Sequence, residues 1–239
     1  IIIYNHGQNT NDRAKKGECI WVNQIRNQAS LIDEEINGKK IMVYNFCSND
    51  FAGDMSVKKS WWKSKTPYEG KHKLDKRVEK NLELVEKFTN LGVPSKQIFI
   101  SGHSCGGLLT LMFLSAHTEK VGGGISYMQA CFGKLSTKYK VKKVGPENAM
   151  SNFAKKYPGP AELRERQINN IKQSNNVPVL AFTHPKDKWE GLLSDWLEEV
   201  PGVKRIVISE DYTINGKSCV VKGDNSQENI SATKHPGHE

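Results

Sequence analysis

Apolar and polar residues alternate along the chain in blocks that predict strands and helices in turn. Short apolar runs between polar or glycine-rich stretches indicate buried strands, and these runs fall at 1–5, 40–46, 97–101, 122–128, 177–182 and 203–209. Apolar spacings of three and four predict helices between them, at 19–36, 74–91, 108–116, 147–156, 161–174 and 189–200. This alternation predicts an α/β fold with a mainly parallel central sheet and helices on both faces.

A serine between two glycines stands at one of these strand-to-helix junctions. Residues 102–106 read Gly-His-Ser-Cys-Gly and join the strand at 97–101 to the helix at 108–116. A nucleophilic serine at such a turn is lifted clear of the sheet, and glycines on either side let strand and helix pass closely. The amide of Cys105, at the start of the helix, would face a developing oxyanion. The alternative is a glycine-rich connection of no catalytic meaning.

With Ser104 in this setting, the chain resembles the α/β-hydrolases, in particular the serine esterases, lipases and dienelactone hydrolases. The resemblance implies a Ser-His-Asp triad in the chain order oxyanion loop, serine, acid and histidine. No cofactor is expected. The sequence also holds no cluster of Cys, His and acidic residues with the spacing of a closed zinc site, and a metal pair of His184 and Asp187 is disfavoured.

The oxyanion loop is expected at the end of the first strand. Residues 1–5 run into His6, Gly7 and Gln8, which is similar to the His-Gly segment of the family. The resemblance implies that the amide of Gln8 is the second oxyanion donor and that His6 lies near the substrate. The alternative is a strand end with glycine at a turn.

The acid is expected after the strand at 177–182, where Asp187 follows a short loop. Its chemical task is to fix one histidine tautomer and to stabilise the imidazolium that forms. Glu190 and Asp195 are weaker alternatives, because both fall on the helix predicted at 189–200. Asp187 could also serve as a capping residue of that helix.

The base is expected after the strand at 203–209, where the histidines are His235 and His238. The Pro-Gly-His-Glu setting of His238 resembles the Gly-His pattern of the fold, so we favour His238 and keep His235 as the alternative. The long stretch at 210–234 before them suggests a hairpin built on 219–221.

Two further segments are candidates for shaping the substrate site. Residues 133–176 are polar and lysine-rich, and they form either a cap over the site or the crossover that a parallel strand pair requires. Trp61 and Trp62 would line an acyl or aromatic pocket, or else anchor their loop.

Composition narrows the class of protein. The chain has 239 residues, 37% of them hydrophobic, with no apolar run near 18 residues, which predicts a single domain over 1–239 without a membrane span. It begins without Met inside an apparent strand, so we expect that either a leader or the first one or two strands of the family are missing from it.

Cysteine and charge leave alternatives open. Cys105 is expected to be buried beneath the turn, leaving Cys19, Cys47, Cys131 and Cys219 to form up to two disulfides or to stay reduced. The formal charge is +9, with lysine runs at 58–76 and 134–143. Because no recognition motif accompanies them, we expect a solvated lysine-rich surface and no specific nucleic acid, with steering of anionic substrates as the remaining role.

These patterns together predict a serine hydrolase that cleaves a small-molecule or lipid-like carboxylic ester through an acyl-enzyme. The alternatives are a peptidase, thioesterase or acyltransferase on the same fold, or a noncatalytic binding protein. Fold and triad fix the nucleophile but not the leaving group.

Overall fold

The computed structural model describes residues 1–7, 28, 31–48, 72–209, 211–214 and 216–218. Its strands, in chain order, are β1 (Ile2–Asn5), β2 (Glu35–Ile36), β3 (Lys39–Lys40), β4 (Val43–Phe46), β5 (Phe99–His103), β6 (Gly123–Tyr127), β7 (Val179–Thr183), β8 (Val203–Val207), β9 (Thr213–Ile214) and β10 (Lys217–Ser218). Six of them form one sheet in the order β4-β1-β5-β6-β7-β8, and every pair in it is parallel.

Helices surround this sheet. They are α1 (Lys73–Asn90), α2 (Cys105–His117), α3 (Leu135–Lys138), α4 (Val141–Val144), α5 (Pro146–Lys156) and α6 (Pro158–Lys172). Short 3₁₀ turns lie at Ser95–Gln97, Thr118–Lys120, Gly191–Leu193 and Asp195–Glu199. The predicted parallel α/β fold is therefore confirmed. Within the described ranges, no helix is long and apolar enough to cross a membrane.

Helix α2 occupies the centre of the molecule. Its side chains are buried on nearly all sides, as its almost uniformly apolar sequence predicts. It contacts strands β1, β5, β6 and β7 and also helices α1 and α6. Because each fully buried Leu or Phe contributes about 1.5–3 kcal/mol, this helix is a large part of the stability of the domain.

Helix α1 carries the apolar stripe that the sequence predicts at 74–91. Leu74, Val78 and Val85 are buried on the face that packs against α2. His72 caps its start, because the His72 amide donates to the Asp75 carboxylate at 2.8 Å and the Leu74 amide donates to His72 Nδ1 at 3.4 Å.

The helix predicted over 19–36 does not extend to its expected end. Residues 31–33 form a turn, and β2 and β3 form an antiparallel hairpin around Asn37 and Gly38. Both turn residues have positive φ, 52° and 72°, as an Asn-Gly hairpin turn requires. Ile32 and Ile36 are 49% and 61% exposed, so their helical spacing does not mark a core face. Local turn chemistry overrides periodicity here.

The segment at 189–200 is also not the helix that its pattern predicts. It forms two 3₁₀ turns instead, while Leu193 and Leu197 are still buried. The chain turns tightly at its start, because the Gly191 amide donates to the Asp187 carbonyl at 3.2 Å. A Cβ on Gly191 would meet the carbonyl oxygen of His184, so this turn requires glycine.

The region at 133–176 connects β6 to its parallel neighbour β7 and contains α3 to α6. The helices predicted at 147–156 and 161–174 are present as α5 and α6, and α6 lies against α2. The segment is thus the crossover of a parallel pair. A role as a cap stays a prediction.

The first turn of α2 lies directly against the end of β1. A Cβ on Gly106 would meet the backbone of Asn5 and would lie 2.8 Å from the His6 carbonyl oxygen. A Cβ on Gly102 would meet the Gly106 backbone in the same way. Only glycine lets these backbones approach so closely.

We expect Gly106→Ala to lower the free energy of unfolding by about 3 kcal/mol or more, because the new methyl group can only displace backbone. The matched control is Gly38→Ala. Gly38 has a φ of 72°, but a Cβ there would have nothing within 4 Å. Gly38→Ala should therefore lower the free energy of unfolding only through the strained backbone conformation, by about 1–2 kcal/mol. Urea denaturation of both variants measures the difference. Equal losses would contradict the tight contact between α2 and β1.

Candidate active site

Four strands of the sheet end side by side at one edge. Because β1, β5, β6 and β7 are parallel, the residues that follow them lie at the same edge of the sheet. Tyr127 pairs with both His103 and Phe182, so β5, β6 and β7 end nearly level. In open α/β sheets, ligands bind outside the carboxyl ends of the strands.

Ser104 lies at this edge in a strained backbone conformation, with φ 57° and ψ −118°. Such a conformation costs about 1–3 kcal/mol for a residue other than glycine and persists only where the surroundings fix it. Its amide donates to the Tyr127 carbonyl at 3.0 Å, and its carbonyl accepts from the Ala130 amide at 3.1 Å. Met128, directly after β6, is also at positive φ.

The Ser104 side chain lies at the start of α2 without capping it. Ser104 as a residue is 8% exposed, and its hydroxyl is 3.1 Å from the Ala130 carbonyl oxygen, to which it can donate. The first amides of α2, starting with Cys105, are at the positive end of the helix dipole. This arrangement places the Ser104 hydroxyl at the amino end of α2.

A disulfide between Cys105 and Cys131 joins the start of α2 to the loop after β6, with 4.5 Å between the Cα atoms. Cys105 is buried as expected, but its exclusion from disulfide pairing was wrong. The two cysteines meet because β5 and β6 are neighbours, whereas their 26-residue separation carries no local signal. Cys47 is also disulfide-bonded. Cys19 and Cys219 are outside the described residues.

Asp187 follows β7 and is 4% exposed. Its two carboxylate oxygens accept hydrogen bonds from the amides of Trp189 and Glu190, each at 3.2 Å. These bonds fix the carboxylate in the manner of a capping residue. Each oxygen has a second lone pair, so the same carboxylate can also accept a histidine N–H.

The two alternative acids are engaged elsewhere. Glu190 forms a buried ion pair with Arg164, whose Nη2 and Nε lie 2.6 and 3.0 Å from one carboxylate oxygen. The Asp195 side chain is 80% exposed and pairs with Arg205 at 2.8 Å. Asp187 and Glu190 are both buried in the segment after β7, and they differ in that the Glu190 carboxylate is held by Arg164.

His6 and Gly7 follow β1 at the same edge. The His6 ring is 1% exposed, with Nδ1 2.6 Å from the Gly7 carbonyl oxygen and Nε2 3.1 Å from the Ser48 hydroxyl. The Ser48 amide also donates to Nε2, so Nδ1 carries the proton and donates to Gly7. Because both ring nitrogens are engaged in this way, we infer that His6 holds the loop after β1 and does not contact a substrate.

Two residues that the sequence analysis missed hold the end of β1. The fully buried Arg77 donates to the carbonyl oxygens of His6 at 3.1 Å and Gly7 at 3.5 Å. Asn81, one turn later on α1, exchanges amide hydrogen bonds with Asn5 at 2.9 and 3.0 Å. The sequence held a signal for this buried role, because both are polar residues on the apolar stripe of the helix predicted at 74–91.

The remaining candidates lie outside the described residues, namely Gln8, Trp61, Trp62, His235 and His238. Their roles as oxyanion donor, pocket residues and base stay predictions. In the part of the chain that the structure describes, no group of three or more His, Cys, Asp or Glu side chains could hold a metal ion.

A six-stranded parallel sheet with Ser104 after one central strand and Asp187 two strands along has the architecture of the α/β-hydrolases. A solved acetyl xylan esterase from Paenibacillus sp. R4 shares this fold, with a TM-score of 0.51 and 12% identity, over 88% of this chain and 68% of that one. A phospholipase/carboxylesterase from Dyadobacter fermentans DSM 18053 aligns at 18% identity over 90% and 83% of the two chains, with a TM-score of 0.45. SOBER1 of Arabidopsis thaliana aligns at 14% identity over 87% of each chain, with a TM-score of 0.45. No protein-family model and no curated protein sequence matches the chain.

We expect the double substitution Cys105→Ala/Cys131→Ala to lower the free energy of unfolding by about 2–4 kcal/mol, because the disulfide restricts the unfolded chain. Urea denaturation without reductant measures this loss. Reductant added to the double variant reports separately on the disulfide at Cys47. An unchanged midpoint would show that the Cys105–Cys131 disulfide does not stabilise the fold.

Proposed function

We propose that the protein is a serine hydrolase that cleaves a carboxylic ester through an acyl-enzyme. The observation that carries this function is the strained backbone of Ser104 at the amino end of α2, beside the carboxyl end of β5. The buried carboxylate of Asp187 at the same edge supports it. The esterase name of the Paenibacillus structure with this fold favours an ester over an amide or thioester.

In the proposed reaction, the Ser104 hydroxyl attacks the ester carbonyl carbon while His238 accepts its proton. Asp187 orients the imidazole and stabilises the imidazolium, and His238 returns the proton to the leaving alcohol. Water then attacks the acyl-enzyme by the same base catalysis and releases the acid. His235 is the alternative base.

The amides of Gln8 and Cys105 would hold the oxyanion. The Gly7 carbonyl and the following amide belong to one peptide unit, in which C=O and N–H point in opposite directions. Arg77 and the His6 ring both bond to the Gly7 carbonyl oxygen. In the proposed site, these bonds to the Gly7 carbonyl oxygen would point the Gln8 N–H away from Arg77 and His6 and toward the oxyanion.

We expect Ser104→Ala to abolish hydrolysis of 4-nitrophenyl acetate and butyrate, with a loss in kcat of at least about 10⁴-fold. Labelling by a fluorophosphonate probe should vanish with it, since both need the nucleophile. Ser115→Ala, at the other end of α2, is the matched control and should retain both. Turnover that persists in Ser104→Ala would refute the assignment, and wild-type protein with neither turnover nor labelling would favour a noncatalytic protein.

The two candidate bases are separated by substitution of each. We expect His238→Gln to reduce kcat by at least about 10³-fold, because the nucleophile loses its proton acceptor, and His235→Gln to change it less than about threefold. Steady-state hydrolysis of the same esters measures both. The reverse pattern would make His235 the base, and full activity in both variants would contradict a histidine base from this segment.

A further inference from the structure

A cleft of about 250 Å³ opens between the loop after β6 and the helices of the β6–β7 crossover. Four aromatic residues line its walls, namely Phe132, Tyr139, Phe153 and Tyr157. Two lysines, Lys134 and Lys138, lie at its rim. The Tyr139 and Phe153 rings meet edge to face at 5.6 Å between centroids. These aromatic walls suit a flat apolar group.

The cleft lies beside the candidate active site. Phe132 comes two residues after Ala130, whose carbonyl oxygen is 3.1 Å from the Ser104 hydroxyl. Two residues span at most about 7 Å, so the cleft wall begins within roughly 10 Å of that hydroxyl. Next to the lining residue Leu135, the Ser136 amide donates to the carbonyl of Trp189, two residues after Asp187, at 2.8 Å. The cleft is thus next to both the serine and the acid.

The rim of the cleft is positively charged. Lys138 Nζ lies 4.8 Å from the Tyr157 ring centroid and 3.5 Å from its hydroxyl, and Lys134 Nζ lies 5.7 Å from the Trp189 ring. Across the described residues, neither lysine has a carboxylate within 4 Å. Aromatic faces attract these ammonium groups but do not neutralise their charge. An anionic group bound at the rim would neutralise that charge.

Tyr139 supplies a second observation that points to a ligand. Its hydroxyl oxygen is buried and has no hydrogen-bond partner among the described residues. Burial raises the pKa of the Tyr139 phenol above its usual value, and the neighbouring Tyr157 raises it further, so the group stays a neutral donor. Because Tyr139 also lines the cleft, an acceptor atom on a bound group would give this hydroxyl a partner.

We propose that this cleft binds one end of the substrate, and that the substrate is an ester with a flat apolar or aromatic group that carries a carboxylate. The ring lies between the aromatic walls, and the carboxylate pairs with Lys134 and Lys138 at the rim. This substrate class rests on the proposed ester hydrolysis and narrows it to anionic aromatic esters.

The test compares two substrates of the same shape, the 4-nitrophenyl monoester of terephthalic acid and its neutral methyl ester. We expect the anionic ester to be cleaved with a kcat/KM at least about threefold higher than the neutral ester, and we expect Lys134→Met/Lys138→Met to bring that ratio close to one. Raising the salt concentration should lower the ratio too. Lys87→Met is the matched control, because this exposed lysine lies in the last turn of α1, at the edge where β5 begins. No preference in the wild type, or one that survives in the double variant, would overturn the inference.

Binding without turnover separates this inference from the proposed function. Calorimetry of terephthalate with Ser104→Ala measures the cleft in a protein that cannot catalyse. We expect binding there that weakens at least about threefold on adding Lys134→Met/Lys138→Met and is unchanged on adding Lys87→Met. Such binding would support the cleft even if the wild type cleaves neither ester, whereas no binding, or equal binding in all variants, would overturn it.

Discussion

The backbone contact between the first turn of α2 and the end of β1 determines the rest of the site. Gly106 has no Cβ, so the start of the helix can lie against the Asn5 and His6 carbonyls. With the helix start there, Ser104 makes the turn between β5 and α2 at positive φ. The buried side chains of α2 offset that strain, since each contributes about 1.5–3 kcal/mol against about 1–3 kcal/mol for one strained residue.

A buried arginine, Arg77, lies at the same end of β1 as this contact. Removing a guanidinium from water is costly unless its donors are satisfied, and a buried charge is weak evidence for stability. Arg77 donates two hydrogen bonds to the His6 and Gly7 carbonyls. These carbonyls lie at the end of β1, where Gly106 makes its close backbone contact. The chemical effect of Arg77 is therefore to fix the direction of these peptide groups. The disulfide of Cys105 with Cys131 ties the same turn to the loop after β6.

Much of this arrangement follows from local sequence, and the failures have physical causes. Periodicity predicted the sheet and its main helices because those segments bury one continuous apolar surface. It failed at Asn37–Gly38 and around Asp187, where turn hydrogen bonds within a few residues outweigh apolar spacing. The motif order predicted that Ser104 and Asp187 would lie at one edge, since parallel strands end together. The Cys105–Cys131 pairing depends on which strands are neighbours, and no local pattern encodes that.

The position of the positive charge matters more than its total. The formal charge of +9 acts on a distant anion only weakly, because at physiological ionic strength its field is screened beyond about 8 Å. Lysines elsewhere on the surface therefore raise the rate of encounter only modestly, and they cannot hold a bound group. Lys134 and Lys138 follow closely after Ala130, whose carbonyl accepts from the Ser104 hydroxyl, and their ammonium groups lie over the Trp189 and Tyr157 rings. Short-range binding at the cleft would thus lower KM, while the remaining lysines would change only the association rate.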